Sequence, residues 1–218
     1  MIIRTPYLIA IAGPSCGGKT ELSRQLARRL QALSTTRSAP AAEVPILPLD
    51  SYYLDLSSIP LDARARHNFD VPGALDLKLF SEHLRMLAAG QPIARPIYDF
   101  KLHARSGGVE IVRPEPYVVV EGLMLLHIEE VRNLFGTRVY VDLDEDTCLR
   151  RRIVRDVAER GRTPDSVRQQ FAETVQPMAK NYIYPSRRFA DVVVRGDDAI
   201  ENSLAAVLAH IESGVRQG

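Results

Sequence analysis

Cysteine is nearly missing from this sequence: Cys16 and Cys148 are all that its 218 residues contain. Two cysteines cannot build a disulfide framework, so a reducing compartment, the cytoplasm, is expected. A long apolar run is missing too. No stretch approaches the ~18 consecutive apolar residues of a membrane-spanning helix, so no membrane association is expected. The opening MIIRTPYLIAIAG is briefly apolar, but it runs straight into a glycine-rich segment and reads as a first strand, not as a secretory signal. Charge imbalance is absent: 28 Lys and Arg against 27 Asp and Glu leave a formal net charge of +1. A protein that gripped nucleic acid mainly by neutralising phosphates would be more basic, so no nucleic-acid partner is expected. Internal repeats and low-complexity tracts are also lacking, which excludes a repeat architecture. What remains is 45% apolar and 25% charged, the composition of an ordinary globular chain. Its length suits one domain spanning residues 1–218, with a sizeable core.

Short apolar runs alternate with segments of helical period. YLIAIAG (7–13), VPILPLD (44–50), YVVVEG (117–122), RVYVDL (138–143) and ADVVVRG (190–196) are short, rich in β-branched residues and not strictly alternating. That pattern suits strands buried on both faces. Between them, Leu22, Leu26, Leu30 and Leu33 share one helical face, as do Leu77, Phe80, Leu84 and Leu87 ahead of a stop at Gly90. Thr163 and Pro164 read as N-cap and first residue of a helix carrying Val167, Phe171, Val175 and Met178, kinked at Pro177. Ile200, Leu204, Val207 and Ile211 mark a last helix. The alternation predicts an α/β fold with about five parallel strands flanked by helices. Residues 34–44 read as a surface loop. RPIYDF (95–100) and VEIVR (109–113), around Gly107-Gly108, read as a hairpin projecting from the sheet.

GPSCGGKT (13–20) fits G-x-x-x-x-G-K-[ST], between an apolar strand and an amphipathic helix. Backbone N–H groups and a helix N-terminus there surround an anion with positive dipole ends. Gly13, Pro14, Ser15, Cys16, Gly17, Gly18, Lys19 and Thr20 are therefore the candidate nucleotide-binding residues. Lys19 would reach the β- and γ-phosphates, and the Thr20 hydroxyl would sit on Mg²⁺. The anion is a nucleoside triphosphate; the loop alone leaves open whether it is hydrolysed or its phosphoryl group transferred.

Ligands of an open parallel sheet sit at the carboxyl ends of its strands. Asp50 closes one strand and Glu121 another. Magnesium needs hard oxygen ligands and a hydroxyl acceptor needs a base, so Asp50 is read as base and metal-site member and Glu121 as the Mg²⁺-binding carboxylate. Asp142 reads as a turn cap. RRRIVRDVAERGR (150–162) packs six arginines into thirteen residues, with Asp156 and Glu159 interrupting them. Guanidinium forks neutralise the charge spread over a transferring phosphoryl group, so residues 150–163 read as an Arg-rich lid, with Gly161 as a natural break and hinge.

These pieces come in an order that resembles the uridine–cytidine kinase family, within the uridine kinase and phosphoribulokinase group of P-loop enzymes. The resemblance covers nearly the whole chain: GPSCGGKT, LDSYY (49–53), HNFDVPGALD (67–76), PIYDFKLHAR (96–105), VVVEGLMLL (118–126), RRIVRDVAERGR (151–162) and ADVVV (190–194). It implies a P-loop kinase fold and transfer of the γ-phosphoryl of ATP or GTP to the 5′-hydroxyl of uridine and cytidine, in pyrimidine salvage, with Mg²⁺ as cofactor. It implies that Asp50 is the base, that Tyr53 belongs to the nucleoside pocket, and that Asp70 and Arg152 grip the ribose hydroxyls. Phe69 and Phe100 would touch the base, Tyr98 and His103 would read the pyrimidine edge, Arg160 and Gln170 would lie near nucleoside and phosphates, and Arg155 and Arg162 would be catalytic charges of the lid. A homotetramer is also implied. The sequence departs from the family at Val71, where a histidine is common, at Cys16, where serine or alanine is usual, and in ARSGGVEIV of the hairpin. Two alternatives stay open: a sibling kinase for ribulose 5-phosphate, pantothenate or another nucleoside, and a nucleotide-binding regulator without kinase activity.

Overall fold

A computed structural model describes residues 5–34, 43–64 and 67–215. Most of the 34–44 segment falls outside those residues. Five parallel strands form the main sheet: β1 (Tyr7–Ala12), β2 (Ile46–Pro48), then, further along the chain, β5 (Tyr117–Gly122), β6 (Thr137–Asp142) and β7 (Val192–Arg195). Among the described residues, the intervening β3 (Ile93–Asp99) and β4 (Ala104–Val112) pair only with each other, antiparallel. The sheet order is β2-β5-β1-β6-β7, so β1 lies at the centre and all five carboxyl ends share one edge.

The period of two along β1 explains its unbroken apolar sequence. Leu8, Ala10 and Ala12 enter one core, while Ile9 and Ile11 enter another on the opposite face. The second core is closed by α1 (Lys19–Ser34), through Leu22, Leu26 and Leu30, and by α8 (Ile200–Val215), through Leu204, Val207 and Ile211. Leu33 does not join it: the residue is 65% exposed. The first core takes Phe80, Leu84 and Leu87 from α3 (Leu77–Ala88), Ile93 and Val112 from the hairpin, and Val131 from the short α4 (Glu129–Arg132). A one-turn helix, α2 (Leu61–Arg64), buries nothing.

α5 (Glu145–Arg160) is capped by Asp144, whose side chain accepts from Thr147 N–H, and ends at Gly161. α6 (Pro164–Gln170) starts at a Thr163 cap that accepts from Ser166 N–H, with Pro164 first in the helix. Its continuation takes up Pro177 through π-helical turns at Phe171–Val175 and Ala179–Ile183, on either side of α7 (Gln176–Met178). The hairpin departs from expectation in one respect. Gly107 and Gly108 lie inside β4 at a register shift opposite Pro96–Tyr98, and the reversal is made by residues 100–103. Asp99 builds that turn by accepting from Lys101 N–H and Leu102 N–H at 2.8 and 3.1 Å, and His103 completes it at φ 47°.

Candidate active site

The loop between β1 and α1 rises from the centre of the carboxyl edge. Gly13 has φ 141°, and a Cβ there would stand 2.3 Å from the Val141 carbonyl, so the chain crosses β6 only as glycine. Cys16 takes a positive φ of 59°, a strained setting for a non-glycine residue. Lys19 is buried, and its Nζ donates to the Pro14 carbonyl at 2.8 Å. Thr20 Oγ1 donates to both Glu121 oxygens, at 3.1 and 3.0 Å. The loop thus arrives with its hydroxyl on the strand-end carboxylate.

Asp50 comes from a 3₁₀ turn, Leu49–Tyr52, directly after β2. Leu49 and Tyr52 are buried one turn apart, and the Tyr52 hydroxyl meets His83 Nδ1 at 2.9 Å, which anchors the turn while Asp50 lines the cavity. The next residues pair with the segment carrying Asp70: Leu54 N–H donates to Ala74 O, Asp76 N–H to Tyr52 O, and Tyr53 bridges Leu75. Arg105 then clamps the hairpin to both. Its backbone N–H donates to Asp55 Oδ1 at 3.1 Å, its Nε to Tyr53 O at 3.1 Å, and its other end pairs with Asp76 at 3.2 Å. Arg105 had no assigned role; its place within PIYDFKLHAR is the only signal the sequence offers.

These elements enclose a cavity of about 1220 Å³. Single small-molecule pockets run to roughly 300–1,000 Å³, so there is room for two reactants. Ser15, Cys16, Gly18, Lys19, Thr20, Asp50 and Glu121 line it, as do Tyr53, Phe69, Asp70, Tyr98, Phe100, His103, Arg152, Arg155, Arg160, Arg162 and Gln170. Gly13, Pro14 and Gly17 do not. Val71 packs against the first core and is not in the wall, and Cys148 is a buried filler. Asp142 also stays outside, 3.5 Å from Arg187. Lys101, Arg151 and Ser166 are wall residues that sequence reasoning passed over. Arg151 donates to Cys16 O at 3.4 Å and to Gly196 O at 3.0 Å, joining the loop to the end of β7.

One end of the cavity is a cluster of rings. Phe69 and His103 stack with centroids 5.0 Å apart and planes at 18°; Tyr53 meets Phe69 edge-on at 5.3 Å and Tyr98 at 5.4 Å. Tyr98 is buried with no partner for its hydroxyl among the described residues, and burial pushes its pKa up to about 12. The opposite side is cationic. Arg152 donates to Ser15 Oγ at 3.1 Å and to Gln170 Oε1 at 3.2 Å, and Arg162 donates to the same Gln170 oxygen. Arg152 therefore bonds to the loop and to α6, not to Asp70. Arg152, Arg155, Arg160 and Arg162 all close on Asp156, which interrupts the arginines in sequence and gathers them in space.

Burial sets the acid–base character of the centre. It raises the pKa of Asp50 against the pull of Lys19, with Asp70 pushing the same way; it raises Asp70 against Arg152, Arg155 and Arg160. Glu121 is raised by burial and held back by Lys19 and by the Thr20 hydrogen bond. Lys19 itself is lowered by desolvation, opposed by Glu121 and Asp50. Among the described residues, no three His, Cys, Asp or Glu side chains converge as a metal cage. Thr20 and Glu121, with Asp50 nearby, suit a cation that takes its remaining ligands from phosphate and water, which is the habit of magnesium.

Residues 8–199 match the model of the phosphoribulokinase / uridine kinase family. A uridine kinase of Brevibacillus brevis is 42% identical over 189 residues, 87% of this chain and 84% of that protein. A uridine kinase of Deinococcus deserti is 39% identical over 210 residues, covering 96% and 97%. Among solved structures, D-glycerate 3-kinase from Cryptococcus neoformans superposes with a TM-score of 0.63 at 18% identity over 89% of this chain and 88% of that one. Shikimate kinase from Bacteroides thetaiotaomicron gives 0.51 at 17%, over 94% and 98%. Identities that low establish a shared P-loop kinase fold and nothing finer. The family model and the uridine kinases each span most of the chain, and on that ground the chain belongs to the phosphoribulokinase / uridine kinase family.

Proposed function

We propose that this protein is an ATP- or GTP-dependent kinase, working in pyrimidine salvage, that phosphorylates the 5′-hydroxyl of uridine and of cytidine. The observation that carries the reading is one cavity of about 1220 Å³ with the glycine loop at one side and the ring cluster at the other. The kinship with uridine kinases supports it. When bound, the magnesium nucleotide supplies the phosphoryl group and neutralises part of its charge. Gly13 to Thr20 hold the phosphates, with Lys19 as the fixed cation. Thr20, Glu121 and Asp50 form the metal side. Asp50 orients the 5′-hydroxyl and takes its proton; its raised affinity for a proton, in a buried setting, suits a base. Arg155 and Arg162 neutralise the transferring group. Tyr53, Phe69 and Phe100 flank the base, Tyr98 and His103 read its edge, and Asp70 and Arg152 take the ribose hydroxyls, with Arg160 and Gln170 beside them. A site built to bond a hydroxyl rejects an acceptor that lacks it.

Lys101 in the wall is a cation that a phosphorylated acceptor would use, so ribulose 5-phosphate belongs in the test. The assay is ADP release with magnesium ATP and a panel of uridine, cytidine, deoxyuridine, adenosine, pantothenate and ribulose 5-phosphate. Turnover on the two pyrimidine ribosides, with deoxyuridine poor, is expected. Turnover on the sugar phosphate or pantothenate alone replaces the acceptor; none on any compound, with nucleotide still bound, leaves a regulator. We extend the reading to one domain over residues 1–218 that works as a cytoplasmic homotetramer. Light scattering at the mass of one chain overturns the assembly. No helix among the described residues is long and apolar enough to cross a membrane.

A further inference from the structure

Asp156 sits beneath the cavity wall and not in it, with 0% of its surface exposed. Its two oxygens divide four arginines that do line the wall. Oδ1 takes Arg155 at 2.8 Å and Arg160 at 3.7 Å; Oδ2 takes Arg152 at 3.5 Å and Arg162 at 3.6 Å. Its main chain works on the same corner. The Asp156 carbonyl accepts from Gly161 N–H, which ends α5, and from Arg162 N–H at 3.2 Å. Gly161, at φ 64°, turns the chain back so that Arg162 returns to the carboxylate. Among the described residues nothing stands within 4 Å of a Cβ at Gly161, so the turn is selected by backbone conformation and not by crowding.

Four like charges left to themselves separate and solvate. Here one buried anion holds them together, and the anion in turn tolerates burial only because they surround it. The surplus of cations is felt across the cavity: Arg152, Arg155 and Arg160 all draw down the raised pKa of Asp70. We propose that Asp156 is a positioning residue, which assembles Arg152, Arg155, Arg160 and Arg162 in the wall before any nucleotide binds and, through Arg155 and Arg162, creates the site's preference for a triphosphate over a diphosphate. The proposal rests on the kinase reading for its purpose. Its test needs no acceptor, so it stands or falls separately from the identity of that acceptor.

The experiment is calorimetric titration of the whole protein with magnesium ADP and with the magnesium complex of the non-hydrolysable β,γ-imido analogue of ATP. The chains compared are wild type, Asp156→Asn, the pair Arg155→Met with Arg162→Met, and all three changes together. One charge-assisted hydrogen bond, from Arg155 to Asp156 at 2.8 Å, beside three looser ion pairs sets the scale at about tenfold. Wild type is expected to prefer the triphosphate analogue. Asp156→Asn should lose about tenfold of that preference while its affinity for ADP changes by less than about threefold. In the background without Arg155 and Arg162 it should cost less than about threefold more, because it acts through them. A residue that merely holds the α5–α6 corner together would weaken both nucleotides alike. An unchanged preference in Asp156→Asn, or the same loss in both backgrounds, overturns the proposal. If Asp156→Asn does not fold, Gly161→Val displaces the turn that returns Arg162 and leaves the carboxylate in place. It should lower the same preference, and an undiminished preference there overturns the proposal equally.

Discussion

The two ends of the cavity are built by opposite means. The phosphate end is eight consecutive residues, Gly13 to Thr20, shaped by backbone dihedrals and seated on the centre of the sheet. The ring end is collected from Tyr53, Phe69, Tyr98 and His103, which come from three separate segments, and it is held by side chains such as Arg105. A backbone cradle recognises what all nucleoside triphosphates share. A side-chain cluster can be exchanged residue by residue, so we propose that acceptor specificity resides there in a fold used by several kinases.

The strongest way to break this comparison is at Asp50, which feels both Lys19 on one side and Asp70 on the other. Asp50→Asn should lower kcat on the order of 10²–10⁴-fold while both ligands still bind. Near-normal turnover in single-turnover kinetics would remove Asp50 from the chemistry. Next is the cradle itself. Gly13→Ala puts a methyl 2.3 Å from the Val141 carbonyl at a backbone angle alanine rarely takes. It should cost about 2–5 kcal/mol of stability by chemical denaturation and weaken ADP binding. A variant that keeps wild-type affinity would show that the cradle tolerates what its geometry forbids.

The ring end should respond more gently and in the other parameter. Phe69→Ala removes a ring that stacks on His103 and meets Tyr53, so the nucleoside KM should rise roughly tenfold with kcat nearly kept, given ~0.5–1.5 kcal/mol for each ring contact. An equal fall in kcat would mean that the rings also align the hydroxyl. The smallest effect sharpens the contrast by lying outside both ends. Asp191, at the entry to β7, accepts from Arg138 of β6 at 2.8, 3.0 and 2.6 Å. Partial burial tends to raise its pKa, but those bonds hold it below the usual carboxylate range. A depressed folded pKa contributes stability above the unfolded value of about 4, and that contribution is lost as pH falls through the folded one. Asp191→Asn should therefore cost up to about 1 kcal/mol near pH 7, with the gap to wild type closing below about pH 4, and neither ligand should bind differently. Thermal melts across pH check it; a constant gap would assign the loss to packing.

Much of the scaffold could be read in advance. All five strands of the sheet were visible as short apolar runs, because a strand buried on both faces needs nothing but apolar side chains. Boundaries moved where tertiary contacts decided them: VPILPLD keeps only Ile46–Pro48 as strand, since burying Leu49 and Tyr52 winds the rest into a 3₁₀ turn. The hairpin reversal was misplaced at Gly107-Gly108 because the Asx turn at Asp99 carries no glycine. The arginine cluster was half legible. Asp156 stands four residues from Arg152 and from Arg160, a helical spacing open to anyone, yet a carboxylate among arginines reads as a solvated face until its burial is known.

What the sequence alone determined is the part whose physics is local. A glycine loop between strand and helix, a cap at Thr163, a break at Gly161, and acids at strand ends depend on neighbours along the chain. What only the tertiary structure decided is every relation between distant segments: Arg152 turned to Ser15 and Gln170 and not to Asp70, Arg105 clamping the hairpin, and Asp156 gathering four cations. Those depend on desolvation and on charge at distances of a few ångströms, and neither quantity exists until the chain has packed.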